Sequence, residues 1–183
     1  MTDFPGLLRA LVEGEVSFLV VGGFAATAHG SSRLTADLDI LYDRSPENLA
    51  RLIAVIAPLD PYLRGAPPGL PFRFDLATLQ AGLNFTLVTR LGALDLLGEL
   101  TGGGTYDALL PQSVVVPMFG LSVRCLSLGQ LIASKRAVGR PRDLDALAEL
   151  EVIREEQGRS QYSEIHWRAF STTRITPRTS SGS

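Results

Sequence analysis

The stretch from Phe18 to Tyr42, FLVVGGFAATAHGSSRLTADLDILY, decides how this chain folds. Phe18-Leu19-Val20-Val21 is apolar and β-branched, as a buried strand requires. Gly22-Gly23 makes a turn after it, Phe24 to His29 suits a short helix, and Gly30 suits that helix's C-terminal stop. A second strand then carries Asp37 and Asp39. Residues i and i+2 of a strand point the same way. Thr35, Asp37, Asp39 and Leu41 therefore share one face, and Ala36, Leu38, Ile40 and Tyr42 share the other, apolar one. Two like charges about 4 Å apart repel by roughly 4 kcal/mol at an effective dielectric of about 20. A fixed pair of carboxylates suits a hard cation with oxygen ligands, and Mg²⁺ is the common choice where phosphates complete the shell. Alone, Asp-x-Asp also reads as the wet face of an ordinary strand. The glycine pair shifts the balance, because glycines between strand and helix let a phosphate approach bare backbone N–H groups.

The whole chain bounds the reading further. It has 183 residues, 45% hydrophobic and 20% charged, which is enough for one domain with a proper core and short for two. A formal net charge of −2 leaves no global basic field for long nucleic acid. Cys125 is the only cysteine, so no intramolecular disulfide or Cys-based zinc site can form, and it reads as a core residue. His29 and His166 are too few for a His-rich metal site. No signal peptide is visible at the start, and no apolar run is long enough to span a membrane, so a cytoplasmic protein is expected.

Thr2 and Asp3 can cap a first helix with Pro5 in its first turn and Leu7, Leu8, Leu11 and Val12 as its stripe. Val16 to Val21 reads as strand one and Leu38 to Tyr42 continues strand two. Ser45-Pro46-Glu47 opens another helix with Leu49, Leu52, Ile53 and Ile56 apolar. Ala57 to Pro71, with Pro58, Pro61, Pro67, Pro68 and Pro71, reads as a loop. Asn84 to Thr89 and Ala93 to Leu97 read as a hairpin about Arg90-Leu91-Gly92, with Asp95 between Leu94 and Leu96. Gly102-Gly103-Gly104 reads as a flexible link, followed by a short helix from Tyr106. Ser113 to Pro117 and Leu121 to Leu126 suit a second hairpin around Phe119-Gly120. Ser127 caps a helix containing Lys135, which Gly139-Arg140-Pro141 breaks. A last helix would turn Leu144, Leu147, Leu150 and Ile153 inward. Residues 1–158 are expected to form one domain, and 159–183 a Ser/Thr/Arg-rich tail that is at least partly disordered.

Gly22-Gly23 followed by Arg33-x-Thr35-x-Asp37-Leu38-Asp39-Ile40 resembles the signature of the nucleotidyltransferase superfamily with the DNA polymerase β-like fold. This version of it is similar to the small prokaryotic branches, which include antibiotic, minimal and toxin-type nucleotidyltransferases. No Walker G-x-x-x-x-G-K-[ST] and no Rossmann G-x-G-x-x-G is present. Lys135-Arg136 and Arg140-Pro141-Arg142-Asp143-Leu144 resemble the basic motif that closes many toxin-type members, with Arg142 where that motif often has Lys. The implied fold is α+β: a small mixed sheet flanked by helices.

The resemblance implies transfer of a nucleoside monophosphate from an NTP to an acceptor. Asp37, Asp39 and Asp95 would be the catalytic and metal-binding acids, holding two Mg²⁺ ions. Gly22, Gly23, Ser31, Arg33, Thr35, Lys135 and Arg142 would serve the nucleotide. Each basic residue also reads as surface: Lys135-Arg136 as a solvated helix end, Arg142-Asp143 as a cap with an ion pair. The acceptor could be a small molecule, a protein or a tRNA. A partner subunit, such as the antitoxin of a toxin–antitoxin pair, could supply what a chain this short lacks. The alternative is an inactive nucleotidyltransferase-like module that binds nucleotide or a partner without turnover.

Overall fold

A computed structural model describes residues 1–139 and 141–172, with side chains described over 1–139 and 144–159. The strands are Phe18–Val21 (β1), Asp37–Tyr42 (β2), Tyr62–Leu63 (β3), Asn84–Thr89 (β4), Gly92–Leu97 (β5), Ser113–Met118 (β6) and Leu121–Leu126 (β7). The helices are Phe4–Glu13 (α1), Gly22–Ala28 (α2), Pro46–Ile56 (α3), Leu76–Ala81 (α4), Tyr106–Leu109 (α5), Leu128–Val138 (α6) and Pro141–Thr172 (α7). The strands form one sheet in the order β3-β4-β5-β2-β1-β7-β6. It is mixed: β2 pairs parallel with β5 and β1 parallel with β7, and the other neighbours pair antiparallel. The expected α+β architecture is therefore present.

Local chemistry explains the elements. Asp3 caps α1 by accepting the Gly6 N–H at 2.9 Å, and Pro5 sits in the first turn where no N–H is needed. Thr2 is not a cap; its hydroxyl donates to the Ala36 carbonyl. Ser45 caps α3 through the Asn48 N–H, as its position before Pro46 suggests. Ser127 stands at the start of α6, but its side chain makes no capping bond. Gly139 ends α6 at φ 63°, the left-handed region that favours glycine. Leu7, Leu8 and Leu11 of α1 and Leu49, Leu52 and Ile56 of α3 are buried with the central strands in one core. Each such side chain contributes about 1.5–3 kcal/mol on burial. Cys125 is part of this core, and burial pushes its thiol up to about 12, so it is an inert packing residue.

Three expectations change. The segment Ala57 to Pro71 is not wholly loop: Ala57–Leu59 is a 3₁₀ turn, and β3 pairs Tyr62 with Val88 and Leu63 with Leu87 at the sheet edge. α4 has no expected counterpart; Asp75 caps it by accepting the Thr78 N–H. On α7, Leu150 is fully buried and Ala146 is buried, but Leu144 is 56% exposed. A spacing of three drifts around a helix of 3.6 residues per turn, so Leu144 and Leu150 cannot share a narrow face. α7 also runs unbroken through position 158, where the composition shifts. Arg140 and residues 173–183 lie outside the described residues.

Candidate active site

The alternation in β2 aims its two acids. Leu38 and Ile40 are fully buried on one face, and Asp37 and Asp39 leave the other, only partly covered. β5 repeats the pattern, with Leu94 and Leu96 buried and Asp95 between them. Because β2 and β5 pair in parallel with Asp39 opposite Asp95, the three acids emerge on one side of the sheet. One carboxylate oxygen from each lies within 4.8 Å of the others. This is the chain's one such cluster among the described residues.

Both glycines are shaped by these strands. Gly22 has φ 65°, and a Cβ there would lie 2.1 Å from Asp39 Oδ2. A Cβ at Gly23 would lie 2.8 Å from Thr35 Oγ1. The helix begins at Gly22 itself, without the separate turn expected before Phe24. The glycine pair thus lets α2 start directly above the acids. The Thr35 hydroxyl lies 3.1 Å from Asp37 Oδ1 and can donate to it. The backbone of Gly23 donates to Asp39.

Three crowded carboxylates cannot all ionise cheaply. Burial, then the charge of Asp37, then that of Asp95, raises Asp39 to about 7, against the opposing pull of the Gly23 N–H and Arg64. Burial also raises Asp95, with Arg64 pulling it down and Asp37 pushing it up. Arg64 is not among the residues expected at the site. It follows β3 directly, and its backbone N–H donates to the Thr86 carbonyl at 2.9 Å. Its Nη2 meets Asp95 Oδ1 and Oδ2 at 2.8 Å each, and its Nη1 meets Asp37 Oδ2 at 3.3 Å. The only sequence signal for it is indirect: three converging acids require a counter-cation, and a guanidinium grips carboxylates in fork geometry.

A cleft of about 700 Å³ opens over the acids. Gly22, Gly23, Ser31, Arg33, Thr35, Asp37, Asp39, Asp95 and Lys135 all line it, so these expected site residues come together. Arg142 lies outside the described side chains. Leu97, Leu100, Leu131 and Leu150 give the cleft an apolar wall, and Glu99 adds a further acid at its rim. Ser31, Ser32 and Arg33 are drawn onto Glu149 of α7, a residue no local pattern marks.

The donor set fits Mg²⁺. It is three carboxylates held close, all oxygen, with no histidine or thiol among them.

No family model matches the chain, and no curated protein matches it. Solved structures do. The lincosamide antibiotic adenylyltransferase LnuA, in its lincomycin-bound crystal structure, matches with a TM-score of 0.54 at 15% identity, over 83% of this chain and 98% of that one. The antibiotic-resistance factor ANT(2'')-Ia, in solution, matches with a TM-score of 0.47 at 17% identity, over 91% of this chain and 94% of that one. A putative nucleotidyltransferase from Thermotoga maritima matches with a TM-score of 0.43 at 16% identity, over 95% and 97% of the two chains. With the LnuA match and the mixed sheet above, the fold is that of the nucleotidyltransferase superfamily.

Proposed function

We propose that this protein is a Mg²⁺-dependent nucleotidyltransferase that moves a nucleoside monophosphate from an NTP to the hydroxyl of a small acceptor. The observation that carries it is the convergence of Asp37, Asp39 and Asp95 in the cleft of a nucleotidyltransferase fold. Asp37 and Asp39 would hold the metal that carries the triphosphate, and Asp95 would join them only at a second, acceptor-side position. Bound there, Mg²⁺ would acidify the acceptor hydroxyl and offset charge on the phosphates.

The chain's own side chains supply the rest. The acceptor oxygen forms a bond to the α-phosphorus as the α–β phosphoanhydride bond breaks, and pyrophosphate leaves. Asp95, directly opposite Asp39 on the neighbouring strand, would take the acceptor's proton. Lys135, Ser31, Arg33 and Thr35 line the cleft where the phosphates would lie, and cationic and hydroxyl donors there stabilise charge that grows on pyrophosphate. Arg64 would have to release Asp37 and Asp95 for the metal to bind, and its guanidinium would then be free to meet a phosphate.

A small acceptor is favoured by the cleft. About 700 Å³ is the scale of small-molecule sites, and the apolar wall of Leu97 and Leu100 with Glu99 at the rim offers a mixed surface for one. The LnuA structure, which holds lincomycin, points the same way. The test is transfer of label from α-³²P NTPs to a panel of hydroxylated small molecules, with Mg²⁺ and with chelator. Label appearing on an acceptor only with Mg²⁺ supports the reading. Nucleotide binding without turnover on any acceptor would replace it with a binding module.

A further inference from the structure

Four donors converge on one carboxylate beside the cleft, that of Glu149. Ser31 Oγ donates to Glu149 Oε2 at 3.1 Å, and Arg33 Nε donates to the same oxygen at 3.0 Å. Ser32 donates twice to Oε1, from its backbone N–H at 2.7 Å and from Oγ at 2.9 Å. Together these bonds hold the Glu149 carboxyl below the usual carboxylate range, the Ser32 N–H first among them. Ser31 and Arg33 line the same cleft as the three acids.

The donor set is the informative part. Hydroxyls, a backbone N–H and a guanidinium converging on two oxygens form a cradle for a phosphate as readily as for a carboxylate. Ser31-Ser32-Arg33 follows α2 and precedes β2, between the glycine pair and the acids. A polyphosphate held near Asp37 and Asp39 would come within reach of this loop. Glu149 is presented firmly: the neighbouring Leu150 is fully buried, and Glu151 pairs with Arg136 of α6.

We propose that Glu149 is a built-in competitor for the phosphate cradle, holding Ser31, Ser32 and Arg33 until a polyphosphate displaces it. The NTP as natural displacing ligand rests on the proposed function; the competition itself does not. A different role would give the opposite sign. If Glu149 merely oriented Arg33 for the ligand, removing its charge would weaken binding.

The experiment is calorimetric titration of inorganic tripolyphosphate into the full chain and its variants, without metal. Glu149→Gln should bind about ten-fold tighter than the unaltered protein, since charge-assisted bonds no longer have to be exchanged. Glu149→Asp keeps the charge but shortens the side chain out of reach, and should move affinity the same way. Glu155→Gln removes an equal charge from an exposed position on the same helix and should leave affinity unchanged. Adding Arg33→Gln to Glu149→Gln should cancel the gain. Unchanged, weaker or undetectable binding in Glu149→Gln overturns the proposal, as does an equal gain in Glu155→Gln. Should Glu149→Gln not fold, Glu149→Asp decides by the same criterion. Because no turnover is measured, an absence of NMP transfer counts against the nucleotidyltransferase reading alone and leaves this result standing.

Discussion

Asp39 of β2 and Asp95 of β5 are direct partners in a parallel ladder, so both carboxylates leave the same face of the sheet side by side. Sequence places them 56 positions apart, and only strand pairing brings them together. The register is locked by leucines. A slip of one residue would turn Leu94 and Leu96, both fully buried, toward the cleft and drive Asp95 into the core. The acidic centre is thus a by-product of correct core packing.

Removing either acid of β2 should abolish transfer without unfolding the protein. Asp37→Asn and Asp39→Asn change charge but little volume. Each should cut Mg²⁺-dependent label transfer by more than about 100-fold. The check is transfer rate alongside circular dichroism; activity retained in the folded Asp39→Asn protein would count against metal ligation by this residue.

The metal-free protein should lose stability as pH rises. Asp39 keeps its proton to about 7 when folded, against 3.8 as its ordinary value. Below the ordinary value both states are protonated and the contribution is fully present. Between the two values the folded state binds the extra proton, so stability falls with rising pH and levels off above about 7. The full span is on the order of 4 kcal/mol. Saturating Mg²⁺ should offset the loss at pH 8, and Asp39→Asn should flatten the profile. Urea melts at pH 5, 6.5 and 8, with and without Mg²⁺, read this directly; a wild-type profile as flat as that of Asp39→Asn would contradict it.

Two glycines should respond differently to the same methyl group. Gly30 has φ 109°, and a Cβ added there would meet nothing within 4 Å, so Gly30→Ala should cost only backbone strain of about 1–2 kcal/mol. Gly22→Ala adds a clash with Asp39 to its own strain. It should be the less stable of the two and should also weaken Mg²⁺ binding, which Gly30→Ala leaves alone. Equal metal affinity in both variants would separate Gly22 from the acidic centre.

Asp95 and Arg64 should split binding from turnover. Asp95→Ala should leave Mg²⁺–NTP binding close to normal and remove transfer, because the acceptor's proton loses its destination. Arg64→Gln should tighten Mg²⁺ several-fold, since a guanidinium no longer competes for Asp37 and Asp95. Mn²⁺ binding followed by electron paramagnetic resonance, beside transfer rates, distinguishes the two. Loss of NTP binding in Asp95→Ala equal to that of Asp37→Ala would move Asp95 to the nucleotide side.

What the sequence makes legible is periodic or punctuated. β2 announces itself by alternation, the β4–β5 and β6–β7 hairpins by their turns, and α1 and α3 by caps and stripes. Asp95 sits between two leucines in a strand-like run, but only the family resemblance joins it to Asp37 and Asp39 as a third acid. What stays hidden has no local period. β3 is two residues long inside a proline-rich stretch and is placed in the sheet by its pairing with β4. Arg64 follows from that pairing, so it is equally invisible. Glu149 looks like any helix acid until α7 lies against a loop more than a hundred positions earlier. Leu144 departs from its expected face because spacing by threes does not stay on one side of a helix.

Arg64 on Asp37 and Asp95 has a consequence for which ligands the cleft admits. On one side a guanidinium already answers the acids, and on the other Glu149 already answers Ser31, Ser32 and Arg33. A bare cation would have to evict Arg64 and leave it without its carboxylates. A bare anion would do the same to Glu149. A metal-bound triphosphate would bring both signs at once, with the metal for the acids that Arg64 leaves and the phosphates for the donors that Glu149 leaves. On the proposed reading the cleft would act as a two-key lock: the metal displaces Arg64 and the phosphates displace Glu149, each key weaker alone than the two together.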